Sequence, residues 1–259
     1  MSSNTILLIF AIVNVVVTGL FASAVLNQFV QRRRIYQLYW MIALLMAFFA
    51  TLSYVFMIIV GPTSGAGIVF FRAYYILGAA LAPSWLGLGS IALVTGARVT
   101  RICLAVVSIL SVITAVIIAI SPLDIHALSQ VAGTPGTGIL QNQAAWLPLT
   151  ITLNSLGVLA VVGVAIYSGW KLLRRQSSVA GFHPGNLLLA NVLILIGDLL
   201  NAAAGTTARA FGLSGSFWLV MTAGWIVFFS GVMLASKRSA TDKTNRKKDQ
   251  MKGTVASAR

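Results

Sequence analysis

Seven long apolar stretches fill most of this chain, and its basic residues cluster in every second gap between them. A helix needs about 20 mainly apolar residues to cross a hydrocarbon core roughly 30 Å thick. The candidate spans are Thr5–Val30, Ile35–Val60, Ala66–Val94, Ile102–Ile120, Trp146–Trp170, Asn186–Thr207 and Phe217–Ser236. In lipid, backbone polar groups must be satisfied inside each segment, so helices are the element that suits these lengths. Composition excludes a water-soluble fold: 8% of residues are charged and 58% hydrophobic, where an ordinary soluble domain carries about 25% charge. The expected fold is therefore all-α, a bundle of seven transmembrane helices over residues 1–238, followed by a basic tail at 239–259.

Lys and Arg set the orientation. Arg32, Arg33 and Arg34 follow the first span, Arg98 and Arg101 the third, Lys171, Arg174 and Arg175 the fifth, and Lys237 and Arg238 the seventh. The gaps after the second and fourth spans have no Lys or Arg, and the gap after the sixth has only Arg209. The positive-inside rule then places the N-terminus outside and the C-terminus in the cytoplasm. Ala22-Ser23-Ala24 looks like a signal-peptide cleavage site, but no basic residue precedes the apolar run and three arginines follow it. That order predicts a retained helix.

The net charge of +14 does not imply a nucleic acid. Eight of the 18 basic residues lie in Lys237–Arg259, where a juxtamembrane segment meets anionic lipid headgroups. Each basic residue near such a surface contributes about 1 kcal/mol of attraction. With few apolar residues to bury, the tail is expected to be disordered apart from that contact.

Inside the spans, ionisable residues are few. The chain has no Glu and only four Asp. Asp198 is the one acid deep in a span, and Arg72 the one base clearly below a surface. Intramembrane charge is costly and marks candidate functional positions. At 1.5 Å per residue Arg72 lies about 9 Å, and Asp198 roughly 14 Å, below the outer edge. Asn14, Tyr75 and Asn154 reach similar depths, and Asn191 and Asp198 share one face of the sixth helix. Two readings stay open. These residues line an outward cavity with Arg72 and Asp198 as a charge pair, or they form interhelical polar bonds that hold the bundle together. Pro83 in the third span is expected to kink that helix beside Trp85. The candidate ligand or cavity residues are Arg72, Tyr75, Trp85, Asn154 and Asp198.

Several chemistries are excluded by what the spans lack. A retinal protein needs a lysine inside a helix for its Schiff base, and every lysine here is at position 171 or later, none of them mid-span. His126, Asp124 and His183 are too scattered for a metal site. No phosphate-binding loop or nucleophile–base pair is present, so the reading is of a protein that is not an enzyme and has no cofactor. The single Cys103 excludes an intrachain disulfide.

The third span reads Phe71-Arg72-Ala73-Tyr74-Tyr75, then Gly78, then Pro83-Ser84-Trp85-Leu86. This resembles the seven-helix sensor region at the amino end of some bacterial histidine kinases, where an Arg, a Tyr three residues on, a Gly and a Pro-x-Trp recur in the third helix. The likeness extends over about residues 5–238. It implies a bacterial cytoplasmic membrane and a sensing role. Tyr74 stands where that family often has an acid, and only Lys237–Arg259 follows the last helix. Output would then pass through a separate cytoplasmic signalling partner. The alternative is a small-solute transporter with a three-plus-one-plus-three helix layout, because the first and fifth spans open similar successions of basic loop, helix, turn and helix.

Overall fold

The computed structural model describes residues 3–174, 184–212 and 216–234. The expected tail at 239–259, with Lys237, Arg238, Arg175 and His183, lies outside the described residues. Seven long apolar helices cross the molecule: α1 (Ser3–Arg32), α2 (Ile35–Val60), α3 (Gly65–Val94), α4 (Ala97–Ile120), α5 (Gln143–Arg174), α6 (Pro184–Ala210) and α7 (Phe217–Leu234). No strand occurs among the described residues. This is the all-α seven-helix bundle of a multi-pass membrane protein. Its outer surface agrees, since Ile59 is 70% and Ile120 75% exposed on flanks that only lipid would solvate well.

Two helices run past their apolar stretches. α4 begins at Ala97 and takes Arg98 and Arg101 into its first turns, and α5 carries Lys171 and Arg174 in its last. A helix does not end where hydrocarbon ends, because its hydrogen bonds are internal and polar side chains reach water from its terminal turns.

The helix order around the bundle follows from the contacts. α1 packs on α2, α2 on α3, α3 on both α4 and α5, and α5 on α6. α7 closes the ring. Gly197 of α6 lies against the Phe228 backbone, and Phe21 of α1 meets Trp225 with ring centroids 6.2 Å apart. The core has two parts. One gathers Tyr54, Phe71, Tyr74, Tyr75, Trp146 and Trp218. The other gathers Phe21, Leu44, Leu86, Trp225 and Phe228.

The connection between α4 and α5 is a folded lid rather than a plain linker. Asp124 caps the short helix Ile125–Ser129, accepting from the Ala127 N–H at 2.9 Å. Leu123 and Leu140 pair across the loop, and Leu128, Val131, Ile139 and Leu140 are buried. These apolar residues dock on the first core region, which orders a segment otherwise rich in Gly, Ser and Thr.

Candidate functional site

Four of the five candidate residues belong to α3 or bond to it. α3 starts behind Ser64, whose Oγ accepts from the Gly67 N–H at 2.9 Å. Its middle, Tyr75–Leu81, is π-helical, with the Ala82 N–H reaching the Leu77 carbonyl five residues back. It then returns to α-helix over Ala82–Val94, with Pro83 in the first turn of the renewed segment. Proline has no N–H to offer the carbonyl four residues back, which is that of Ala79. Asn154 of α5 supplies a donor to that carbonyl, its Nδ2 lying 2.7 Å from the Ala79 oxygen. One turn further along α5, Gly157 lets the two backbones touch. A Cβ there would overlap the Pro83 carbonyl, and one on Gly87 would lie 2.7 Å from the Gly157 Cα. The expected kink at Pro83 is thus a change of helical register, held from outside by a neighbouring helix.

Arg72 bonds to main chain. Its Nη1 donates to the Ile118 carbonyl and its Nη2 to the Ser121 carbonyl, both at 3.0 Å. The last carbonyls of a helix lack internal donors and carry the negative end of its dipole, so the guanidinium fits there as a C-terminal cap for α4. The expected Arg72–Asp198 charge pair is not formed. The long arginine stem reached α4, and the Asp198 Oδ2 has no hydrogen-bond partner although the residue is only 6% exposed.

Trp85 donates from Nε1 to the Ser111 Oγ at 3.2 Å, joining α3 to α4, and its ring lies 6.4 Å from that of Tyr39 on α2. Tyr75 packs edge-on against Trp146 at 5.4 Å and is 5% exposed. Asn14 reaches toward the Thr51 hydroxyl on α2 at 3.4 Å. Asn201 faces Gly224 of α7, and Asn191 lies in a groove beside α5. Residues read as lining one outward space are therefore spread over separate helix–helix seams. Depth fixed how far down each one sits, but which neighbour its face meets depended on the packing order.

Three residues that carry the lid were not among the candidate site residues read from the sequence. The Tyr54 hydroxyl donates to the Val131 carbonyl at 3.0 Å and accepts from the Gly133 N–H at 2.9 Å. The Tyr74 hydroxyl donates to the Pro135 carbonyl at 3.1 Å. Trp218 packs on Tyr54 with centroids 4.5 Å apart. A tyrosine on the inward face of an apolar helix was the available signal, since a buried phenol nearly always has a partner. The arrangement is a lid seated on aromatic rings of α2 and α3, above a register change in α3 that α5 holds in place.

No known protein family, curated protein or solved structure matches this chain.

Proposed function

We propose that this membrane protein is a small seven-helix sensor in a bacterial cytoplasmic membrane, with the lid outside and output through a separate cytoplasmic partner. One observation carries the reading: α3 joins the lid to the opposite end of the bundle through a π-helical stretch. Tyr74, bonded to the lid, is followed directly by the π turns Tyr75–Leu81. Those turns are followed by Pro83 and by Trp85, which grips α4. Helical registers are discrete, and short π insertions occur disproportionately at functional sites. A ligand that moved the lid would favour one register over another and shift the far end of α3 by the difference in its affinity for the two. The likeness of Phe71–Leu86 to the third helix of kinase-linked sensor regions points the same way. The alternating basic loops support the orientation.

The transporter reading retains one supporting observation. α4 has the least enclosed apolar window of the seven, at 17% buried, as a linker between two three-helix halves would. Against it, α3 and α5 belong to different halves and touch backbone to backbone at Gly157, a seam that sliding would disrupt.

A spin label tests the proposal. In a Cys103→Ser background, a nitroxide on Val94→Cys reports the far end of α3, where Val94 is 42% exposed. Removing the lid bonds with Tyr54→Phe and Tyr74→Phe is expected to change the label's mobility in bilayers. An unchanged spectrum, with the lid shown to be released by faster hydrogen exchange at Val131–Ile139, would refute transmission along α3. Solute flux into vesicles that depends on the same residues would favour transport.

A further inference from the structure

A groove of about 260 Å³ runs between α5 and α6 near the Arg174 end of the bundle, independent of the lid and of the sensing role. Its walls include Ala165, Ile166, Gly169 and Trp170 on α5, and Leu188 and Leu195 on α6. Leu188 to Leu195 spans roughly 10 Å along the helix axis, room for about eight methylenes of an extended chain. Among the described residues, the sole polar side chain on its walls is Asn191. Just beyond the groove, the Arg174 guanidinium lies 3.9 Å over the Trp170 ring, and the Lys171 ammonium lies 5.8 Å from the Tyr167 ring centre. Stacking on Trp170, a wall residue, holds the Arg174 charge at the groove's end, whereas Lys171 and Tyr167 lie on the opposite face of α5. Neither cation has a carboxylate partner among the described residues, where Asp124 and Asp198 are the two acids.

We infer that this groove is a binding site for one anionic phospholipid of the leaflet at that end, with an acyl chain between α5 and α6 and its phosphate on Arg174. The apolar walls accept hydrocarbon, Trp170 sits at the headgroup boundary, and the Arg174 cation complements a net negative headgroup. Asn191 is placed to donate to an ester carbonyl along the chain. The site differs from any diffuse attraction of the basic tail because it combines a shaped apolar wall with a charge held by stacking on that wall.

The test uses the full chain in phosphatidylcholine vesicles doped with brominated phosphatidylglycerol or brominated phosphatidylcholine. Bromine quenches nearby tryptophan, and the Trp170 share of the emission of six tryptophans is taken by difference from Trp170→Phe. Brominated phosphatidylglycerol is expected to be favoured at Trp170 by roughly fivefold, from one basic residue contributing about 1 kcal/mol. Arg174→Gln, at an exposed position, should bring the preference near unity, while Lys171→Gln, on the opposite face of α5, should leave it unchanged. Gly169→Phe, which fills the groove while keeping both charges, should abolish quenching from within it. A preference that survives Arg174→Gln would assign the enrichment to other basic residues and overturn the site. So would a preference unaffected by Gly169→Phe, which would show headgroup attraction alone. Quenching by neither lipid would mean that protein, such as a second copy, covers the groove, and the proposal would fail.

Discussion

Asn154→Leu gives the sharpest test of the α3–α5 seam. The substitution removes the 2.7 Å bond to the Ala79 carbonyl, to which Pro83, four residues on, has no N–H to offer. Interhelical polar bonds in membranes average about 0.6 kcal/mol and reach about 1.7. An interior acceptor left without a donor costs about 1–3 kcal/mol. This carbonyl lies beside a tight backbone crossing, so the expected loss is at the upper end, about 1.5–2 kcal/mol. Pro83→Ala restores an N–H four residues beyond Ala79. In that background Asn154→Leu should cost less than about 0.5 kcal/mol, a coupling near 1 kcal/mol that a double-mutant cycle can resolve. The assay is reversible unfolding in mixed micelles, followed by circular dichroism. Strict additivity of the two substitutions would refute the idea that asparagine replaces the donor that proline lacks.

Four further outcomes follow from the contacts. Arg72→Gln should destabilise the bundle by about 1–3 kcal/mol in the same assay, because it uncaps α4 at Ile118 and Ser121. Asp198→Asn should add to Arg72→Gln without coupling, since the two side chains are not paired; a coupling above about 0.5 kcal/mol would restore the charge pair. Gly157→Leu is expected to prevent recovery of folded protein from membranes, while Gly163→Leu, at a position with open space around it, is tolerated. Tyr54→Phe should speed hydrogen exchange at Gly133 at least tenfold while leaving α4 unchanged, as the phenol oxygen is the acceptor there.

Element existence was legible because it rests on one simple quantity, the length of apolar chain that hydrocarbon demands. Candidate residues were legible as types and depths: Arg72, Tyr75, Trp85 and Asn154 do sit inside the bundle and engage neighbouring helices or rings. Their partners were not. Arg72 and Asn154 both bond to carbonyls, and a carbonyl is the same at every position, so no residue type advertises it. The register change in α3 was half-visible as Gly78 and Pro83, but its extent depends on α5 crossing close by. The lid was harder still. Its sequence reads as a flexible connector, and its order comes from Tyr54, Tyr74 and Trp218, far away along the chain.

The lid's seat has a consequence for how this surface can diversify. Tyr54 and Tyr74 hold the loop by the main-chain groups of Val131, Gly133 and Pro135. Apart from the buried Leu128, Val131, Ile139 and Leu140, attachment is therefore blind to the loop's exposed side chains, provided that Gly133 and Gly136 keep the positive φ angles of 83° and 71°. Exposed positions such as His126, Gln130 and Thr137 are free to be rewritten without unseating the cover. A protein held in this way could alter the surface that this loop presents while its anchoring phenols stay in place.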